Sequence, residues 1–256
     1  MNTDHPLIAK IVRAEQAIGS NPRSAVEQFN TIIADARFGE LDAPVRSLCH
    51  LNRGIQQRKL RQFRKALADY EHATTLVPRS FKPHLNSALV LAQDLREFEA
   101  ARAAFDRGIA LNPGCVDALY SRALVKMELN DREGAEADLK SALALAPNDP
   151  NAVFNLGTLQ MKQGRLEQAA DSFQRALNFA PRDTQIRFNA ALALDRLGMH
   201  DAAQDVLRRD RRAVRMWEKK GGPRVPPRIG LVFYLVIAVA AIGMAVFVAW
   251  RLHTPR

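Results

Sequence analysis

The chain has 256 residues, 47% hydrophobic and 7% aromatic, which allows a sizeable helical core and argues against a sheet-built protein. Its formal net charge of +10 lies almost wholly at one end: from Arg208 onward 11 Lys and Arg face 2 acidic residues, against 26 and 25 in the first 207. The body is electrically balanced, so a nucleic-acid-binding surface spread along the chain is disfavoured.

Met1 to Pro6 lacks a cationic start followed by an apolar run, so no signal peptide is expected and the body stays on the side of its synthesis. Residues 1–46 read as a degenerate helical hairpin, broken at Gly19-Ser20-Asn21-Pro22 and leaving by a long exit from Phe38 to Pro44. From residue 47 the chain repeats. Pro78, Pro113, Pro147 and Pro181 follow one another at intervals of 35, 34 and 34 residues. Each comes after an apolar phrase, such as Ile109-Ala110-Leu111 or Ala142-Leu143-Ala144-Leu145, that closes a helix which proline cannot continue. The spacing divides an array over 47–217 into units 47–80, 81–115, 116–149, 150–183 and 184–217. In 150–183 a first helix runs through Val153 to Gln160, a turn follows at Lys162 to Arg165, and a second helix spans Leu166 to Phe179. Ala169, Phe173, Ala176 and Leu177 share one face of that second helix. Unit 81–115 keeps the frame if its turn, near Gln93 to Glu97, carries one extra residue. Unit 184–217 keeps Ala191, Gly198 and Ala203 but lacks the terminal proline, as a cap would.

Leu156, Gly157, Gly164, Ala169, Phe173, Ala176 and Pro181 make this pattern resemble the tetratricopeptide repeat. So do Gly54, Phe63, Ala66, Tyr70, Ala73 and Pro78 in the first unit, and Ala123, Ala135, Leu139, Ala142 and Pro147 in the third. The resemblance implies an all-α, right-handed α-solenoid of helical hairpins whose first helices line a concave, protein-binding groove.

Beyond the array, residues 208–228 form a basic stretch that overlaps the last unit. It carries Arg208, Arg209, Arg211, Arg212, Arg215, Lys219, Lys220, Arg224 and Arg228, with a hinge at Gly221-Gly222-Pro223 and Pro226-Pro227. Ile229 to Trp250 is an uninterrupted apolar run, followed by a short tail, 251–256. At ~1.5 Å per residue such a run is long enough for a single transmembrane helix, here a tail anchor. The excess of cations before it predicts a cytoplasmic body, on a bacterial inner membrane or, in a eukaryote, an organelle outer membrane. The same cations suit anionic lipid headgroups, with nucleic acid as the weaker reading. Ala241, Ala245 and Ala249 lie at the spacing of a helix-pairing face and could support self-association.

No catalytic motif is present, so no enzyme activity and no cofactor are expected. The six histidines are scattered, and Cys49 and Cys115 lie far apart without metal-ligand spacing, so no metal site is expected. One polar position recurs. Asn52, Asn86, Asn155 and Asn189 occupy the same place in the first helices of four units, and Ser121 takes it in the third. The family resemblance implies that these side chains hydrogen-bond the backbone of an extended peptide; the alternative is that each satisfies polar groups between hairpins. Arg53, Arg122, Lys126 and Arg187 lie on or near the same helices and could add charge selectivity. The chain therefore reads as a membrane-anchored adaptor binding partner proteins. The second reading is a constitutive accessory subunit of a larger membrane complex.

Overall fold

The computed structural model describes residues 5–19, 21–223 and 225. The described residues form an all-α chain of thirteen α-helices without a strand, divided into two compact units, Met1–Gly164 and Arg165–Arg256.

The first unit holds α1 (Pro6–Ala17), α2 (Pro22–Ile33), α3 (Ala43–Lys59), α4 (Phe63–Leu76), α5 (Phe81–Leu89), α6 (Phe98–Leu111), α7 (Val116–Glu128), α8 (Arg132–Leu145) and α9 (Pro150–Lys162). Helices consecutive in the chain pack on each other, so each amphipathic stripe is covered by its neighbours. One core gathers Leu7, Ile11, Phe29, Ile32, Val45 and Cys49. Others centre on Tyr70, on Phe105 and on Leu139 with Leu156 and Leu159. Within the hairpin of α3 and α4 the helices come so close that a Cβ on Gly54 would stand 2.6 Å from Tyr70 Cε1 and 3.2 Å from the Ala66 carbonyl oxygen. Only glycine fits there.

The turns share a second device. Arg61, Arg96, Asn130 and Gly164 all adopt positive φ, at 60°, 57°, 61° and 76°, in equivalent places after their first helices. The left-handed residue lets the next N–H reach back five residues, as Gln62 does to the Gln57 carbonyl at 2.8 Å and Asp131 to that of Lys126 at 2.8 Å. In the unit 81–115 the turn is preceded by a π-helical turn, Val90–Asp94. Its wide ladder (Leu95 N–H to the Val90 carbonyl, 3.0 Å) accommodates one more residue than an α-turn over the same rise. The exit from α2 folds as a 3₁₀ turn, Ala36–Glu40, followed by buried Leu41.

The second unit holds α10 (Leu166–Phe179), α11 (Thr184–Arg196), α12 (His200–Leu207) and α13 (Arg211–Lys219). Here the structure differs from a 34-residue cap ending at 217. The second helix stops after eight residues, and α13 begins separately. Asp210 causes the break: it accepts the Arg212 backbone N–H at 2.7 Å and the Thr184 hydroxyl at 2.6 Å, capping the new helix and tying it to α11. Ala213 and Trp217 bury the apolar side of α13 with Phe188, Ala191 and Leu207. The chain then folds back over the indole, and Trp217 Nε1 donates to the Pro223 carbonyl at 3.0 Å.

No helix among the described residues is long and apolar enough to cross a membrane. The apolar run 229–250, with Ala241, Ala245 and Ala249, lies outside the described residues, as do Arg224 and Arg228.

Candidate functional site

The recurring polar place is built on the first helices, and three of its four asparagines share one conformation. Asn86, Asn155 and Asn189 each donate an Nδ2 proton to the carbonyl four residues earlier in the same helix, at 3.0, 2.7 and 2.9 Å. That bond pins the amide and leaves its Oδ1 and second proton to other partners. Asn155 and Asn189 are only 8% exposed, whereas Asn52 and Asn86 are half-buried. Asn52 instead donates to Glu15 Oε1 at 3.3 Å.

Ser121, the short member of the set, lies on the wall of a cleft between neighbouring hairpins. The cleft encloses about 370 Å³. Leu89, Ala92, Phe98, Phe105, Leu124 and Met127 give it an apolar lining, and Gln93, Arg96 and Glu128 supply a polar rim. Ala92 and Gln93 belong to the π-helical turn, so the extra residue of that unit contributes directly to the cleft wall. Arg96 Nη2 pairs with Glu128 Oε2 at 3.3 Å across the rim, and its guanidinium also covers the Phe98 ring. Sequence reading picked out Ser121 but not the apolar side chains around it. Their signal was available: leucines three residues after Asn86 and Ser121 occupy the same helical face as those residues.

The cations named for charge selectivity are engaged within the fold. Arg53 grips Asp69 through Nε (2.7 Å to Oδ2) and Nη2 (2.6 Å to Oδ1), and its Nη1 reaches Asn30 in the preceding hairpin at 2.9 Å. Arg122 repeats the arrangement on Asp138, at 2.8 and 2.6 Å, with Nη1 on Asp106 at 2.8 Å. Lys126 Nζ joins Asp138 at 3.0 Å. His50 Nδ1 lies 2.8 Å from Asp69 as well. Burial alone would raise the Asp69 carboxyl, but hydrogen bonds from His50 and Arg53 and the charge of Arg53 outweigh it and hold its pKa below the usual range. Bonds and charges from Asp138 and Asp106 likewise raise the pKa of Arg122. Each guanidinium fork closes its own hairpin, and the remaining nitrogen ties that hairpin to the one before. Arg187 lies elsewhere, in a cleft of the second unit.

Of the basic stretch, Arg209, Arg211, Arg212, Arg215, Lys219 and Lys220 are exposed, whereas Arg208 is half-buried and bonded to Asp205 at 2.8 Å. No group of three or more His, Cys, Asp or Glu among the described residues could hold a metal ion.

Repeated helical hairpins with left-handed residues in their turns define a helical-repeat scaffold. A tetratricopeptide-repeat profile matches residues 51–114, 88–150, 120–184 and 154–213, well over half of the chain, and the chain belongs to the tetratricopeptide-repeat family. No curated protein matches it in sequence at a significant level. Similar solved structures include PilW, a widely conserved type IV pilus biogenesis factor, with a TM-score of 0.68 and 21% identity over 80% of this chain and 92% of that one. A tetratricopeptide repeat protein from Parabacteroides merdae gives 0.66 and 21% over 78% and 77%. YrrB, described as a TPR protein with an unusual peptide-binding site, gives 0.59 and 19% over 76% and 99%. At these identities the likeness shows the fold alone.

Proposed function

We propose that the chain is a membrane-anchored adaptor without catalytic activity, which binds an extended segment of a partner protein on its first helices. An apolar side chain of that segment enters the cleft beside Ser121. The observation carrying this reading is the cleft itself: an open apolar recess of about 370 Å³ on the face where the family binds proteins, with a small side chain where other units carry asparagine. Half-buried Asn86 and Asn52 would hold the backbone of the segment on one side of the recess, with Asn155 continuing the series in the first unit; Asn189 holds the equivalent place in the second. Arg53, Arg122 and Lys126 support the face by holding its hairpins in place rather than by meeting the partner.

The apolar run 229–250 supports membrane anchoring, and the cations before it support a cytoplasmic body, on a bacterial inner membrane or an organelle outer membrane. The exposed cations of α13 would then lie beside anionic headgroups, and Ala241, Ala245 and Ala249 could pair two anchors.

Two substitutions in the full chain test the reading. Leu124→Asp places a charge in the cleft on a half-buried helix face, so helicity should be kept while a partner captured by the wild type is lost. Retention of that partner by a folded Leu124→Asp variant would remove the cleft from the mechanism. Deleting 229–256 should release the protein from membranes that resist alkaline extraction; a truncated chain that stays membrane-bound would rule out the anchor.

A further inference from the structure

A guanidinium carries five N–H donors and a permanent charge, so a buried one calls for an anion. Arg187, in α11, is only 9% exposed. Its Nη1 donates to the Val206 carbonyl at 3.3 Å and its Nη2 to the Pro181 carbonyl. Its Nε is buried with no partner. Unlike Arg53 and Arg122, it forms no salt bridge among the described residues. Arg187 stands where His50 stands in its unit, three places before the equivalent of Arg53 and Arg122, and Val206 occupies the place of Asp69, so Arg187 meets a carbonyl where His50 meets a carboxylate. Asp210 is near enough to feel the charge of Arg187, but it is committed to Thr184 and to the α13 backbone. Burial raises the Asp210 carboxyl, and those bonds together with Arg187 more than reverse the effect.

Arg187 lines a cleft of about 500 Å³ between α10, α11 and α12. Leu177, Pro181 and Val206 supply apolar wall, and the amides of Gln174 and Asn178 face it. Exposed Arg209 stands at its edge as a second cation. Asp205 is the one acid in the lining, and Arg208 holds it at 2.8 Å.

We infer that this cleft is a receptor for a carboxylate attached to an apolar group, with Arg187 as the buried counter-charge and Arg209 as the outer one. A planar monoanion matches the fork of a guanidinium. Asp205 in the lining works against a dianionic phosphate, and the volume is that of a small organic group rather than a bare ion. The carboxylate could be the C-terminus of a polypeptide or a free acid.

Calorimetric titration of the full chain in detergent micelles tests the inference with three probes. These are an acetylated glycine–serine peptide ending in leucine with a free carboxylate, its C-terminal amide, and N-acetyl-leucine. The acid peptide should bind at least about tenfold more tightly than the amide, a difference expected for a charge-assisted pair. Equal affinity for N-acetyl-leucine and the acid peptide identifies a free acid as the source; tighter binding of the peptide identifies a polypeptide C-terminus. Arg209→Ala, at an exposed position, should weaken the acid peptide about fivefold and leave the amide unchanged. Arg187→Met should abolish the preference for the acid while raising the melting temperature, because an unpaired buried cation is removed. Equal binding of acid and amide, no binding of either peptide, or an acid preference that survives both substitutions would overturn the inference; should Arg187→Met not fold, Arg209→Ala decides it.

Discussion

Arg122 and Asp138, sixteen residues apart, are joined by two parallel bonds, and the third arm of the arginine crosses to Asp106 in the hairpin before. Arg53 and Asp69 repeat that geometry one hairpin pair earlier. The two-bond fork closes one hairpin, and the third nitrogen links that hairpin to the one before. Those third bonds help fix the register of one hairpin against the preceding one.

Asp138→Ala should therefore be among the most destabilising single substitutions in the first unit. It leaves both Arg122 and Lys126, whose side chains are only 17% and 14% exposed, without their main partner. Loss of one member of a buried pair costs about 3 kcal/mol or more. Urea unfolding followed by circular dichroism should show this, and Arg122→Leu combined with Asp138→Leu should recover much of the loss. A double variant as unstable as the single one would mean that the aspartate matters for something other than the pair.

Asp69 makes stability depend on pH in a definite direction. Its pKa is lower folded than unfolded, so the folded protein binds fewer protons there. The stabilisation is complete above roughly pH 4, the ordinary carboxylate range, and is lost as the pH falls through the depressed folded value. Asp69→Asn should lower the urea midpoint at pH 7 and bring it closer to wild type in acid. A constant difference between the two across that range would show that the carboxylate charge contributes nothing.

Cys49 is fully buried, and burial, with the charge of Glu15 adding to it, pushes its thiol pKa up to about 12. The thiolate is the reactive species, so Cys49 should resist iodoacetamide at pH 8 in the native protein and react once urea is added. Half-exposed Cys115 provides the internal comparison by mass spectrometry. Rapid native labelling of Cys49 would indicate that the N-terminal hairpins open readily.

The left-handed turn residues offer a test of backbone cost. Glycine adopts positive φ freely, whereas a side-chain-bearing residue in that region costs roughly 1–2 kcal/mol. Gly164→Ala, where a new Cβ would meet nothing within 4 Å, should destabilise by about 1 kcal/mol through conformation alone. Arg61→Gly should stabilise by roughly 0.5–1 kcal/mol, less whatever the stacking of Arg61 over Phe63 at 5.8 Å contributes. Thermal melts of the two variants should shift in opposite directions.

The hairpin array was legible because proline, small residues and apolar stripes report directly on helix ends and buried faces. Even the extra residue of the unit 81–115 showed in the spacing of Pro78 and Pro113, although a π-helical turn as its location did not. The roles of the charged side chains were not legible. Arg53, Arg122 and Lys126 look alike as isolated letters on a first helix. Whether they meet solvent or an aspartate depends on the next helix, twelve residues on for Lys126 and sixteen for the two arginines. The paired recurrence of Arg and Asp at that spacing was the available clue. Arg187 carried no such clue: it stands three places before the equivalent of Arg53 and Arg122, and its unit has Val206 where theirs have aspartate. The end of α12 was hidden for another reason: Asp210 serves as a cap only because Thr184 and the start of α13 surround it.

One residue added to an α-helix rotates everything after it by about 100°. The wide turn at Val90–Asp94 absorbs that rotation before the hairpin closes, and the next proline frame, from Pro113 to Pro147, resumes at 34 residues. The inserted residue thus behaves as an expansion joint. It lines one opening in the array while the proline frame downstream keeps its phase, so this stretch could change the shape of that opening without any other part being rebuilt.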